Sequence, residues 1–103
     1  MITDAIHNAG SEHEVLFLLT TYVESARTSG RFHFLSGAVT PLPLASRDDV
    51  RAHFRNLLLE LDAASRSLDD YTRDVLHEAV HIYGAGLEQL FKLDRREQAR
   101  AAA

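Results

Sequence analysis

SLDDYTRDVLHEAVHIYGAGLEQLFKLDRR, residues Ser67 to Arg96, is the longest periodic stretch of the chain and decides its fold. At about 100° per residue, Leu68, Tyr71, Val75, Ala79, Ile82 and Leu90 fall on one side of a helical wheel. Leu76, Val80, Tyr83 and Leu87 widen that side into a broad apolar face. Asp70, Asp74, His77, His81, Gly84 and Glu88 lie opposite. Ser67 suits the N-cap, because its hydroxyl can accept from a free backbone N–H of the first turn. Asp69 and Asp70 sit at the positive end of the helix dipole, and Lys92, Arg95 and Arg96 at its negative end. Gly84 and Gly86 each cost about 1 kcal/mol against Ala in a helix interior. Their presence marks a close helix–helix approach or a bend.

The same stretch holds the one chemical motif of the chain, His77-Glu78-Ala79-Val80-His81. Two His four residues apart on a helix project from one face and can share a tetrahedral metal. In zinc peptidases the Glu beside the first His serves as general base on the metal-bound water. With Gly84 three residues on, the motif resembles the opening of the metzincin pattern. That pattern continues to a third His at position 87, where this chain has Leu87. Glu88 shares the face, but the seven residues that separate it from His81 span about 10 Å, too far to complete the same site. Glu78-x-x-His81 is also similar to the ligand pair of ferritin-like di-iron bundles, where such pairs line a bundle interior. Here the pair is expected on the polar face, so remaining ligands would come from another helix or another subunit.

Outward from this stretch, two further helices are predicted. Ser46-Arg47-Asp48-Asp49 reads as an N-cap followed by an acidic first turn, opening a helix over residues 47–65. Val50, Phe54, Leu57, Leu58, Leu61 and Ala64 form its apolar face, and Leu59 broadens it. Arg47, Arg51 and Arg55 recur at i, i+4, i+8, where like charges repel unless acids face them. Asp70, Asp74 and Glu78 are the expected partners. A break near Arg66-Ser67 would make this helix and the last one antiparallel neighbours. Ser11-Glu12-His13-Glu14 is a capping box for a helix over residues 11–29, with Gly30 as its stop. Its apolar stripe is Val15, Leu18, Leu19, Tyr22, Val23 and Ala26, with Leu16 and Phe17 off the stripe.

Between these helices lies GRFHFLSGAVTPLPLA, residues 30–45. Apolar Phe32, Phe34 and Val39 alternate with polar neighbours, and Pro41 and Pro43 deny ladder hydrogen bonds. A hairpin-like or irregular insertion packed on the helices follows. A short helical turn from Thr3 to about Ala9 is expected at the N-terminus. The tail, residues 97–103, either extends the last helix or frays. The expected architecture is all-α: one domain, residues 1–103, with three main helices over about 11–29, 47–65 and 67–96.

Composition narrows the function. The 103 residues hold no Cys, which excludes disulfides, thiolate metal sites and Cys nucleophiles. Net charge is −4 with neutral His, against the basic footprint that nucleic-acid binding requires. The longest uninterrupted apolar run, Val15 to Leu19, is too short to span a bilayer, and no signal peptide is evident, so the expectation is a cytoplasmic protein. Leu16, Phe17, Leu59 and Phe91 overfill single-face helices, which points to a self-associating or partner-binding module without catalysis or cofactor. The competing expectation is a zinc or iron protein with His77 and His81 as ligands. A weaker third expectation takes the six His as a group that gains charge near neutral pH and tunes association.

Overall fold

The computed structural model describes residues 2–31, 44–64, 66 and 69–102. The described residues form four helices: α1 (Ile2–His7), α2 (Glu12–Thr28), α3 (Arg47–Ala64) and α4 (Asp70–Ala102). No strand occurs among the described residues. The all-α bundle expected from the periodicity is therefore present, and α4 is its axis. At 33 residues α4 is about 50 Å long. All three other helices pack on it, while α2 and α3 meet only thinly.

The helix ends follow local chemistry. Ser11 accepts from the Glu14 N–H at 3.1 Å, and the Glu14 carboxylate accepts from the Gly10 N–H at 2.8 Å. This is a capping box displaced by one residue at its return arm. Ser46 and Asp49 repeat the device at the start of α3: Ser46 Oγ accepts from the Asp49 N–H, and Asp49 Oδ2 accepts from the N–H groups of Ala45 and Ser46. Gly30 ends α2 with φ of +75°. The Arg31 N–H donates to the Ala26 carbonyl at 2.9 Å and the Gly30 N–H to the Arg27 carbonyl at 3.1 Å, a complete Schellman motif.

The core is built from Ile6, Val15, Leu19, Val50, Leu57, Leu76 and Tyr83, each fully enclosed, with Val75, Ala79, Ile82 and Leu90 around them. The glycines of α4 mark close approach. A Cβ on Gly86 would meet Leu19, and one on Gly84 would meet the ring of Phe54. α1 contributes more than a loose turn: Ile6 is fully buried, and Gln89 Nε2 donates to the Ala9 carbonyl at 2.7 Å inside the core.

Several expectations change. α4 begins at Asp70, with Asp69 as its cap: Asp69 Oδ1 accepts from the Thr72 N–H at 2.8 Å. That hydrogen bond holds the Asp69 carboxyl below the usual range. The expected cap Ser67 and the expected face residue Leu68 lie outside the described residues, as do residues 32–43 of the expected insertion. Tyr71 is not in the core but 57% exposed. Arg31, just past the end of α2, already pairs with Glu78, so Tyr71 projects beyond the end of α2 by about 10 Å. The tail is helical to Ala102 rather than frayed. Leu58, expected on the apolar face of α3, is 40% exposed because α3 has α4 as its main neighbour and one flank of its stripe stays uncovered. Leu16, expected off the stripe of α2, packs against the core. Arg47 pairs with Asp94 and with Glu12 at 3.5 Å, not with Asp70, Asp74 or Glu78.

Candidate functional site

His77 and His81 lie on the outer side of α4, and Glu78 lies beside them at the edge that faces α2. Both His are exposed and Glu78 is half-buried. The helical step turns Glu78 away from His77, toward the C-terminal end of α2. There Glu78 Oε1 accepts from Arg31 Nη2 at 2.6 Å and lies 3.5 Å from the Tyr22 hydroxyl. The cap that ends α2 at Gly30 delivers Arg31 to this place. Burial, then the charge of Glu78, raises the Tyr22 hydroxyl above its ordinary range, so it stays a proton donor. Glu78 is thus engaged in tying α2 to α4.

A mostly apolar groove of about 380 Å³ opens beside this network. Ile2, Tyr22 and Ile82 line it, with Glu78, Arg31 and His81 at its polar side. His77 is not part of that lining. Apolar walls with a few convergent polar groups suit an amphiphilic ligand. A second cleft, about 250 Å³, lies between the start of α2 and the end of α4. Arg47, Asp94, Glu12, Glu97, Arg96 and Arg100 line it, so its charges balance and it selects neither cation nor anion.

The third polar locus is internal. His53 of α3 meets Tyr83 of α4 edge to face, with ring centroids 6.1 Å apart. Burial lowers the His53 pKa, and the neighbouring Asp49 carboxylate partly opposes that shift. The Tyr83 hydroxyl is buried with no hydrogen-bond partner among the described residues, and burial raises its pKa.

As metal donors, His77 and His81 stand one helical turn apart with accessible rings. No group of three or more His, Cys, Asp or Glu placed to hold a metal ion occurs among the described residues. Sequence reasoning missed the Arg31–Glu78–Tyr22 network, since Arg31 sits in an irregular stretch with no spacing signal. It also missed Gln89, whose buried amide breaks an otherwise apolar face. The capping pattern at Gly30 was the one available hint to where Arg31 would be held.

The fold is a small all-α bundle. Comparison of the chain with protein-family models, curated proteins and solved structures finds no match. No helix among the described residues is long and apolar enough to cross a membrane.

Proposed function

We propose that this chain is a non-enzymatic, self-associating helical interaction module. The observation that carries the reading is the apolar surface left in water on α2, α3 and α4. Phe17, Leu59, Tyr71 and Phe91 are each more than half exposed, and Leu58 nearly so. Scattered apolar residues are ordinary, but large aromatics and leucines on three of four helices are more than one small bundle needs. Burying such groups against a partner stabilises association through the same area-dependent effect that builds the core. Aromatic anchors at that surface suit a protein partner or a second copy of the chain. The net charge of −4 gives no support to a nucleic-acid partner.

Sedimentation equilibrium over a wide concentration range tests the reading. A mass rising above 11.5 kDa with concentration is the expected result. A mass that stays at the single-chain value at the highest concentration removes self-association.

A metal-binding reading is supported by one observation, the two exposed imidazoles of His77 and His81 on adjacent turns of α4. Zinc or iron would take both as ligands, with further donors from a second subunit. Elemental analysis of untagged protein tests it. Stoichiometric metal that disappears in His81→Ala, with the fold retained, is the supporting outcome. Metal-free protein that takes up no added zinc removes it.

A further inference from the structure

One line of residues on α4 is left unused by the fold except at Gly84, which the Phe54 ring of α3 touches. Asp74, His77, His81, Gly84, Glu88, Phe91 and Arg95 recur at alternating spacings of three and four, the heptad spacing of a helix seam. All but half-buried Gly84 are exposed. A polar line of this kind would ordinarily be a solvated face. Its order is the reason to read it otherwise. Gly84 stands at the centre, with Asp74 and Arg95 about 15 Å away along the axis on opposite sides. His81 and Glu88 flank Gly84 one turn out on opposite sides, and His77 and Phe91 two turns out.

We propose that two copies of this chain pair through α4, antiparallel, with the helices crossing at Gly84. The proposal rests on the self-association reading and names its partner and its face. A two-fold axis through Gly84 sets Asp74 against the partner's Arg95, His77 against the partner's Phe91, and His81 against the partner's Glu88. Each of these contacts occurs twice by symmetry. Acid meets base and imidazole meets an aromatic ring or a carboxylate, while Gly84, flanked by the Phe54 ring, adds no side-chain bulk at the axis.

The unpaired chain is consistent with this assignment. Neither Asp74 nor Arg95 has an ion-pair partner among the described residues. The Arg95 guanidinium lies over the Phe91 ring, 5.8 Å from its centroid, and holds that exposed aromatic in the line. Glu88 shares one oxygen with Lys92 at 3.3 Å, which leaves a carboxylate able to accept from a facing imidazole. A parallel pairing would instead align Asp74 with Asp74 and Arg95 with Arg95, so charge selects the antiparallel arrangement. The flank of α3 adds apolar surface beside the crossing, because the Phe54 ring lies against Gly84 and Leu58 follows it one turn on. A single helix seam covers less than the roughly 800 Å² per partner typical of stable complexes, so the dimer is weak and salt-sensitive.

The test uses the whole chain. Solution mass against concentration is measured for the parent, for Asp74→Arg, for Arg95→Asp and for the double variant. Circular dichroism of each checks that these exposed substitutions leave the helices intact. Each single variant is expected to weaken dimerisation about tenfold, and the double variant to restore it, because the reversed pair is again complementary. Single variants that dimerise like the parent would place self-association on another face and overturn this proposal alone. A parent that stays a single chain at every concentration overturns both this proposal and self-association, leaving α4 to an unrelated partner.

Discussion

Leu19 fills the space that Gly86 leaves on α4: a Cβ on Gly86 would stand 2.7 Å from Leu19 Cδ1 and 3.3 Å from Cδ2. Leu19 is fully buried, so its isobutyl group has no open direction in which to move. Gly86→Ala should lower stability by up to about 2 kcal/mol, the overpacking cost less the helix propensity gained. Gly84→Ala should do the opposite. Its Cβ would rest 3.5 Å from the Phe54 ring, an ordinary contact, so the propensity gain of about 0.5–1 kcal/mol remains. Urea denaturation of both variants at low concentration checks the two signs together. Equal effects from both would contradict the packing difference.

Tyr83 places its hydroxyl where no described group accepts it. Tyr83→Phe should therefore leave stability unchanged or raise it by up to about 1 kcal/mol, since a buried unsatisfied hydroxyl is a desolvation cost in the folded state. Thermal and urea midpoints measure this directly. A clear loss of stability would mean that the hydroxyl has a partner.

His53 gives a pH dependence with a definite sign. Its folded pKa lies below the ordinary His value, because burial disfavours the imidazolium. The unfolded chain therefore takes up this proton first as pH falls. The stabilisation is complete above the unfolded value near pH 6.5 and is lost as pH drops from there through the folded pKa. His53→Leu should flatten the stability profile over that window. An unchanged slope in the variant would show that another group carries the acid sensitivity.

Gln89 joins α4 to the end of α1 through the Ala9 carbonyl at 2.7 Å. Gln89→Leu keeps the volume roughly and removes the donor, so the carbonyl is left buried and unmatched. A loss of about 1–3 kcal/mol is expected. Hydrogen exchange should accelerate most at the amides of α1. Loss of protection spread evenly over α2 and α3 would instead indicate that α1 is not the element released.

What was legible in the sequence was local. The caps at Ser11 and Ser46 and the stop at Gly30 depend on a few neighbouring residues, and the structure has them at those positions. The apolar faces of α2 and α4 followed from spacing alone. Exposure at Tyr71 and Leu58 did not, because it depends on where a neighbouring helix ends and which flank it leaves bare. Charge partners were equally hidden. The Arg47 stripe did signal a need for acids, but the register that brings Asp94 and Glu12 to Arg47 is a property of the packed helices. For the candidate site, the spacing of His77 and His81 placed both on the outer side of α4, as found. The turn of Glu78 toward Arg31 needed the end of α2 to be known first.

The dominance of α4 has a consequence for how the fold comes into being. In chain order α4 follows α1, α2 and α3, yet each of them finds its main packing surface on it. The contact between Gln89 and Ala9 joins residues 80 apart. Emerging from the ribosome, the first three helices meet only one another, and short isolated helices are marginal in water. Native structure must then wait until most of α4 has been made, and assembly is a single late collapse onto a template rather than stepwise growth from the N-terminus. A chain arrested before Gly86 lacks the position that receives Leu19, and its apolar stripes are left open to chaperones and to one another.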